Sequence, residues 1–489
     1  METGTLVALA IYFALMLAIG LHAWRSSGGN SEGYLLAGRG LSPSVAALSA
    51  GASDMSGWLL LGLPGALYAV GLVEAWIGVG LFIGALINWI VVAPRLREQT
   101  ERLGNALTIP EWLANRFPQQ AIVLRVLCAL IIVIFFAVYT AAGMVAGGKL
   151  FETSFAGLID PTFMSDYLFG ILLTAGVVLA YTMIGGFLAV SLTDFVQGLI
   201  MVAALIVMPL VVMFGPGGSA GGSIVAVPQP GFLSLTEGLT FIGFLSAVTW
   251  GLGYFGQPHI IVRFMAIRSV ADVPTARNIG IAWMGVCLVG AIGIGLAGRA
   301  YVERNGLVLD DPETIFIVLA DLLFDPLVTG FLLAALLAAV MSTISSQLLV
   351  ASSSLTEDIY RLFFRQDCSE REAVNVSRLS VLLVAIAAIA IAADPDSEVL
   401  GLVANAWAGF GAAFGPLVVL ALTWDRMTGA GAVAGLATGA AVVGLWIALG
   451  WNTRFIGGAG LYEIIPGFVA SWLAIVVVSR LTAPASTPR

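Results

Sequence analysis

The sequence is poor in charged residues. Only 10% of its 489 residues are Asp, Glu, Lys or Arg, whereas about 25% is usual for a soluble globular chain. Hydrophobic residues make up 59% of the chain, and the mean hydropathy is +1.00. Because so much apolar surface cannot be left in water, the composition excludes a soluble globule and predicts a polytopic membrane protein.

Cysteines and nucleotide-binding motifs are also scarce. Three scattered cysteines are too few for a disulfide framework. No complete phosphate loop (GxxxxGK followed by Ser or Thr) occurs, so ATP is not the expected energy source. The predicted connections do not exceed about 30 residues, which is short for an independent soluble domain. We therefore expect no enzyme activity, no nucleic-acid partner and no obligate protein partner.

The chain contains thirteen apolar runs of the length that crosses a bilayer. The first run follows Glu2 rather than a basic region and lacks a small-residue cleavage site, which favours a retained helix over a signal peptide. The sequence therefore predicts an all-α polytopic membrane protein with 13 transmembrane helices, at about 4–24, 43–68, 75–94, 121–150, 167–184, 191–213, 237–261, 279–300, 327–356, 377–393, 399–423, 430–450 and 462–480.

The basic residues predict the orientation, because cytoplasmic loops collect Lys and Arg. An odd number of spans places the termini on opposite sides. With the N-terminus outside, Arg263 and most other basic residues are cytoplasmic, and only four of the 21 fall outside: Lys149, Arg299, Arg304 and Arg454. We expect the N-terminus outside the cell and the C-terminus in the cytoplasm.

The stretch LSAGASDMSGWLLLGLP, residues 48–64, places Asp54 inside a predicted span. A carboxylate near the bilayer centre costs several kcal/mol and is tolerated where it faces a partner, water or an ion. Small residues on both sides of it weaken the helix and predict a local unwinding that frees carbonyls for a cation. The alternative is a packing face with a snorkelling or protonated carboxyl.

The span FIGFLSAVTWGLGYFGQPHIIVRF carries a second predicted interruption. Four helix-weakening residues occur within eight positions, so this helix should break near its middle: Gly251, Gly253, Gly256 and Pro258. The two broken spans are the second and seventh helices. Because five is odd, the second unit enters the membrane from the opposite side, as an inverted repeat requires.

This count predicts the domain organisation. We expect a first helix and cytoplasmic loop at 1–42 and a first five-helix repeat with an outer loop at 43–235. A second, inverted five-helix repeat follows at 236–429, and two peripheral helices with a cytoplasmic tail complete the chain at 430–489.

Several polar positions allow two interpretations each. Asp194 follows a predicted turn at 185–186 and fits either an ion exit route or a carboxylate favoured by a helix start. Tyr139 is either a pocket residue or a packed aromatic. The hydroxyls of Ser342 and Thr343 either offer hard oxygens to sodium or bond back to their own helix. His259 is more typical of a structural residue than of a proton relay.

Two further kinds of segment have simple interpretations. The spans with AWAGFGAAFGP and LYEIIPGF are expected to be packing helices without buried charge. The outer segment ETIFIVLADLLF is expected to form a short helix that acts as a lid.

Taken together, these motifs are recognisable. SAGASDMSGWLLLGLPGALY, IGGFLAVSLTD, WGLGYFGQPHI and LAAVMSTISSQLLV resemble the sodium:solute symporter family, and its proline members more than its sugar, pantothenate and carboxylate carriers. The likeness runs from the first helix to about residue 480. It implies a LeuT-type fold with a 5+5 inverted-repeat core and two discontinuous helices. It also implies import of L-proline with one co-transported sodium ion through the bacterial plasma membrane.

The resemblance also implies roles for single residues. The sodium ligands would be the backbone oxygens of Ala52, Met55 and Ala339 and the hydroxyls of Ser342 and Thr343. Asp54 would shape this site, and Asp194 would lie on the ion's route to the cytoplasm. The implied proline pocket is Ser56, Trp58, Tyr139, Trp250, Tyr254 and Pro258.

The sequence alone leaves two alternatives to this function open. Another small zwitterion or carboxylate is an alternative substrate, and a channel or membrane sensor is an alternative class. The chain departs from the family pattern in the outer loops 214–236 and 299–325 and in its tail.

Overall fold

The computed structural model describes residues 3–26, 31–155, 157, 160, 163–215, 229–455, 458 and 460–483. Within these residues the fold is helical and contains no β-strand, only an isolated bridge between Leu41 and Ile267. Ten of the described helical segments are long and apolar enough to cross a membrane. The predicted all-α membrane architecture is therefore confirmed.

The helices are α1 Thr3–Ser26, α2 Ser31–Leu36, α3 Pro43–Asp54, α4 Leu63–Val70, α5 Ala75–Arg102, α6 Ile109–Arg116, α7 Ala121–Ser154, α8 Asp166–Phe214, α9 Phe241–Val248, α10 Pro258–Ala266, α11 Val273–Arg304, α12 Ile315–Leu323, α13 Pro326–Ser353, α14 Arg361–Phe363, α15 Glu370–Ala392, α16 Val399–Thr423, α17 Gly429–Ala448 and α18 Ile464–Thr482.

The 49 residues of α8 contain one sharp interruption. Gly186 has φ 60° and ψ −153°, a backbone conformation that glycine adopts without steric cost. A side chain there would also meet the ring of Tyr34. The predicted turn at 185–186 is therefore confirmed, although the two helices it joins follow each other directly.

Helix ends differ from the predicted spans where polar residues continue the helix. The helix α5 continues to Arg102 rather than ending near residue 94. Arg97, near this end, donates from Nε to the carbonyl of Ile267 at 2.5 Å. Hydropathy alone cannot detect such an extension, because the added turns are polar and are held by hydrogen bonds.

The centre of the molecule is α13. From Leu332 to Ser353 every residue of this helix is buried, and α1, α3, α7 and α8 pack against it. The helix α3 reaches this centre after a capped start, where Pro43 occupies the first position and Ser42 Oγ accepts from the amide of Val45.

Parts of the expected outer loop and tail lie outside the described residues. The region 216–228 belongs to the loop predicted at 214–236, and 484–489 to the predicted cytoplasmic tail.

Candidate functional site

The first helix break lies at the end of α3. The helix ends at Asp54, and Met55 leaves the helical conformation with φ −80° and ψ 78°. A π-helical turn at Trp58–Gly62 then leads into α4. The predicted unwinding around Asp54 is confirmed, and it removes the carbonyls near residue 55 from the regular helical ladder.

The second break lies between α9 and α10. A 3-10 segment, Thr249–Gly256, follows α9, and Gln257 is extended with φ −81° and ψ 105° before Pro258 starts α10. The predicted interruption is therefore confirmed. Its glycines permit close contact, because a Cβ at Gly251 would overlap α5 at Gly80 and one at Gly253 would overlap the indole nitrogen of Trp407.

Asp54 joins the two breaks. Tyr254 of the 3-10 segment donates a short hydrogen bond from its hydroxyl to Oδ2 of Asp54. The carbonyl of Asp54 accepts from Trp58 Nε1 at 3.0 Å and from the Tyr139 hydroxyl at 3.5 Å. Asp54 is 2% exposed, so the alternative in which its carboxyl snorkels to the interface is wrong.

A cluster of oxygens lies where α3 meets α13. Ser342 donates from Oγ to the carbonyl of Ala52 at 2.7 Å and to that of Ala339 at 3.0 Å. Thr343 Oγ1 donates to the carbonyl of Ala339 at 3.2 Å. The structure thus brings together four of the five residues expected to bind sodium, and Met55 is fully buried at the adjoining break.

These contacts bear on the two interpretations of the hydroxyls. The Ser342 and Thr343 hydroxyls both donate to a carbonyl of their own helix, as the interpretation without sodium expects. Ser342 also donates across to Ala52, which no intrahelical pattern explains. The arrangement therefore combines hydroxyl and carbonyl oxygens from two helices, the hard donor set that suits an alkali cation.

Asp194 lies in a second buried cluster, about one turn of α13 farther along. Its Oδ2 accepts from Ser49 Oγ at 2.7 Å and from Ser346 Oγ at 3.4 Å. The guanidinium of Arg263 forms an ion pair with the same oxygen at 3.2 Å, and both side chains are fully buried. The guanidinium also lies over the ring of Phe187.

This ion pair shows a feature of Arg263 that the sequence did not predict. The sequence placed Arg263 among the cytoplasmic basic residues, yet its side chain is fully buried. The positive-inside rule counts residues near span ends and cannot separate a surface arginine from one that turns inward to a carboxylate.

The residues assigned to the substrate pocket fall into three groups. Trp58, Tyr139 and Tyr254 surround Asp54 through the bonds described above, and the Ser56 hydroxyl accepts from the Trp58 amide at 3.5 Å. Trp250 stacks on Tyr462 with ring centroids 5.1 Å apart. It also borders a cavity of about 560 Å³.

Pro258 forms the third group. It begins α10 and borders a cavity of about 10 Å³ together with Ile132, Phe187 and Leu349. It therefore defines where the half-helix α10 starts. The next residue is His259, whose ring packs edge-on against that of Tyr139 with ring centroids 5.8 Å apart.

Sequence reasoning missed the contribution of α16 and of the segment before α18. Trp407 donates from Nε1 to the carbonyl of Trp250 at 2.7 Å and accepts from Gln257 Nε2 at its own carbonyl at 3.1 Å. Glu463 is only 1% exposed. The expectation of packing helices without buried charge is therefore wrong, and the Tyr-Glu pair in LYEIIPGF was the available signal.

The short outer helix predicted from ETIFIVLADLLF is present as α12. Just before it, Glu313 accepts from the backbone amides of Val399 and Leu400 at 3.1 and 3.0 Å. It also pairs with Lys149 at 2.8 Å. A carboxylate at the first turn of α16 is favoured by the helix dipole, so these contacts fasten the start of this segment to α16 and to Lys149 of α7.

Comparison with known proteins gives the chain a family context. Residues 34–439 match the family model described as the sodium:solute symporter family. The chain is 52% identical over 488 residues to the sodium/proline symporter of Staphylococcus aureus (strain COL). The matched region covers 98% of this chain and 93% of that protein.

Solved structures share the fold. A Na⁺-coupled sialic acid symporter in a substrate-bound outward-open state matches with a TM-score of 0.82 and 18% identity, covering 100% of both chains. A nucleobase-cation-symport-1 family transporter in a closed conformation matches with a TM-score of 0.54 and 16% identity, over 92% of this chain and 95% of that one. At these identities the likeness concerns the fold alone.

Proposed function

The chain belongs to the sodium:solute symporter family, and we propose that it imports L-proline together with one sodium ion by alternating access. The substrate follows from a relative that is named a sodium/proline symporter and is 52% identical over nearly the whole chain. The observation that carries the proposal is the bond from Tyr254 to Asp54, which joins the two helix breaks beside a cluster of hard oxygens. The protein is a transporter, not an enzyme.

The proposed topology is a LeuT-type core with thirteen transmembrane helices. It counts α8 as two helices and each interrupted pair, α3–α4 and α9–α10, as one. The repeats are proposed at 43–235 and 236–429, between the first unit at 1–42 and two peripheral helices at 430–489. The protein is a multi-pass membrane protein, and we place it in the bacterial plasma membrane with its N-terminus outside.

The proposed sodium site uses the carbonyls of Ala52, Met55 and Ala339 with the two hydroxyls of α13. A sodium ion between α3 and α13 would take the lone pairs of Ser342 and Thr343, whose protons would turn toward other acceptors. Neutral ligands hold a monovalent ion weakly enough for release. Asp54 ends α3 next to this set and adds a negative charge. Asp194, a residue of α8, contacts α13 about one turn farther along, at Ser346, on the proposed exit route.

The proposed proline site lies between the half-helices. The N-terminal end of α10, at Pro258, carries the positive end of a helix dipole and suits the proline carboxylate. The C-terminal end of α3 carries the negative end of its helix dipole and suits the ammonium. Four aromatic side chains enclose the ring and add cation–π attraction: Trp58, Tyr139, Trp250 and Tyr254.

One sodium ion supplies enough energy for nutrient uptake. A membrane potential of about 100 mV contributes about 2.3 kcal/mol per charge, and a tenfold sodium gradient about 1.4 kcal/mol. Together they support accumulation of roughly 500-fold, since each 1.4 kcal/mol corresponds to a factor of ten.

Removing either hydroxyl of the sodium site should weaken sodium binding. We expect Ser342→Ala and Thr343→Ala each to raise the sodium concentration for half-maximal uptake about tenfold, because one contact to an ion contributes about 1.5 kcal/mol. Initial rates of labelled proline uptake against sodium concentration measure this. Ser352→Ala, another buried hydroxyl of α13, is the matched control. Unchanged sodium dependence in both variants would remove these hydroxyls from the ion site.

We propose that ETIFIVLADLLF, residues 313–324, is a lid that Glu313 fastens. Glu313→Gln keeps the shape but removes the charge that meets Lys149 and the α16 amides. Since a charge-assisted hydrogen bond contributes about 1.5 kcal/mol or more, we expect the maximal uptake rate to fall on the order of tenfold. Glu398→Gln, an exposed carboxylate that precedes α16, should leave the rate unchanged. A wild-type rate in Glu313→Gln would exclude a fastened lid.

Uptake into proteoliposomes tests the function itself. Labelled L-proline should accumulate only when an inward sodium gradient is imposed, and unlabelled L-proline should compete. If another small zwitterion or carboxylate competes while L-proline does not, the proposed substrate is wrong.

A further inference from the structure

A small cavity lies on the side of α3 that faces α5, α10 and α11. Its volume is about 20 Å³, and its lining is mainly apolar. The polar side chains that border it are Asp54, Asn88 and Tyr254. Asp54 belongs to the proposed ion site, whereas Asn88, on α5, is unused by the mechanism described so far.

Three polar atoms at this cavity have no hydrogen-bond partner within the described part of the chain. They are Oδ1 of Asp54 and both Oδ1 and Nδ2 of Asn88. The two residues are 2% and 1% exposed. Buried polar groups in folded proteins are almost always paired, with protein atoms or with ordered water. Two such side chains on one cavity therefore point to a shared ligand.

The size and chemistry of the cavity select that ligand. A buried water needs about 10–15 Å³ and two to four polar partners, and this cavity offers about 20 Å³. Asn88 has a donor and an acceptor to offer, and Asp54 has an acceptor. The proposed sodium site gathers five oxygens, whereas the unpartnered groups at this cavity supply only two side-chain oxygens, too few to hold a cation in the same way.

We propose that one buried water molecule bridges Asn88 of α5 to Oδ1 of Asp54, opposite the bond from Tyr254 to Oδ2. Asn88 is thus a positioning residue that holds the Asp54 carboxylate in the orientation required by the ion site. This inference rests on the proposed function, because its effect is read through sodium-dependent uptake. It assigns α5 a part in sodium binding, although α5 contributes no residue to the expected ligand set.

Replacing Asn88 should separate sodium affinity from the rest of transport. Asn88→Leu keeps the shape but cannot bind water, and we expect it to raise the half-maximal sodium concentration about tenfold. The maximal rate and the half-maximal proline concentration at saturating sodium should stay within about twofold. Asn88→Ser, which retains a hydroxyl and leaves room for water, should restore sodium dependence to within about threefold of the wild type.

A control variant and the wild type separate a failure of this inference from a failure of the proposed function. Ile87→Ala changes the neighbouring, exposed position of α5 and should leave all three constants unchanged. Equal sodium dependence in Asn88→Leu and the wild type would overturn the inference, as would equal defects in Asn88→Leu and Asn88→Ser. If the wild type shows no sodium-driven proline uptake, the proposed function fails instead.

A density map tests the water directly. The expected result is a single peak within hydrogen-bond distance of Asn88 and Asp54 that disappears in Asn88→Leu. A thallium peak in the same cavity, in crystals grown with thallous salt, would overturn the assignment by showing that the cavity binds a cation.

Discussion

Asp54→Asn is expected to raise the sodium concentration for half-maximal proline uptake on the order of 100-fold. The carboxylate follows Ala52 by two residues and precedes Met55, so it lies within several ångströms of the proposed ion. At about 6 Å and an effective dielectric constant of about 20, one charge contributes about 3 kcal/mol. Asparagine keeps the acceptor for Tyr254 but removes this charge. Sodium titrations of initial uptake measure the change.

The comparison needs a carboxylate that does not contact the site. Asp396→Asn makes the same chemical change at an exposed position and should titrate as the wild type does. Because the variant keeps the Tyr254 bond, its proline dependence at saturating sodium should change much less. An Asp54→Asn protein with normal sodium dependence would show that the charge is not needed and would remove Asp54 from the ion site.

Asp194→Asn is expected to have the largest effect on stability. Arg263 is fully buried and pairs with Asp194 at 3.2 Å, so the variant leaves a buried guanidinium without its counter-charge. Breaking a buried pair from one side costs about 3–5 kcal/mol. We therefore expect a lower melting temperature in detergent, less folded protein in the membrane and a transport rate reduced at least tenfold per folded molecule.

A double variant separates stability from transport. Asp194→Leu with Arg263→Met replaces both charges by apolar side chains of similar size, and such a replacement of a buried pair is often neutral or stabilising. It should recover the melting temperature but not the transport rate if Asp194 lies on the ion's route. The pair of Arg268, whose side chain is 58% exposed, and the half-buried Asp272 supplies the control, since Asp272→Asn should cost less than about 1 kcal/mol. Wild-type melting of Asp194→Asn would contradict this account.

The sequence predicted those features that depend on local chemistry. Gly251, Gly253, Gly256 and Pro258 weaken any helix, so the second break was visible without a structure. The small residues on both sides of Asp54 likewise predicted the first break. Both predictions rest on propensities that act within a few residues, which a single sequence records fully.

Contacts between distant segments could not be predicted in this way. The partner of Asp54 is Tyr254, 200 residues later, and no pattern near either residue indicates the other. The same limit applies to Arg263, whose position relative to a membrane surface resembles that of a cytoplasmic arginine. Its distinguishing property is the buried Asp194, which belongs to another helix.

The role of α16 was missed for a related reason. Its small residues were assigned to helix packing, and they do allow close approach, but the helix they bring close is the 3-10 segment of the second break. Trp407 then supplies hydrogen bonds to both ends of that segment. Composition indicates that a helix packs closely and cannot identify the surface against which it packs.

Simultaneous measurement of labelled sodium and labelled L-proline entering the same proteoliposomes tests the central claim most directly. The account predicts saturable entry of both labels in a ratio of one sodium per proline, with neither flux appearing when the other solute is withheld. Sodium entry without proline, or proline accumulation that ignores the sodium gradient, would contradict a shared site between the two interrupted helices.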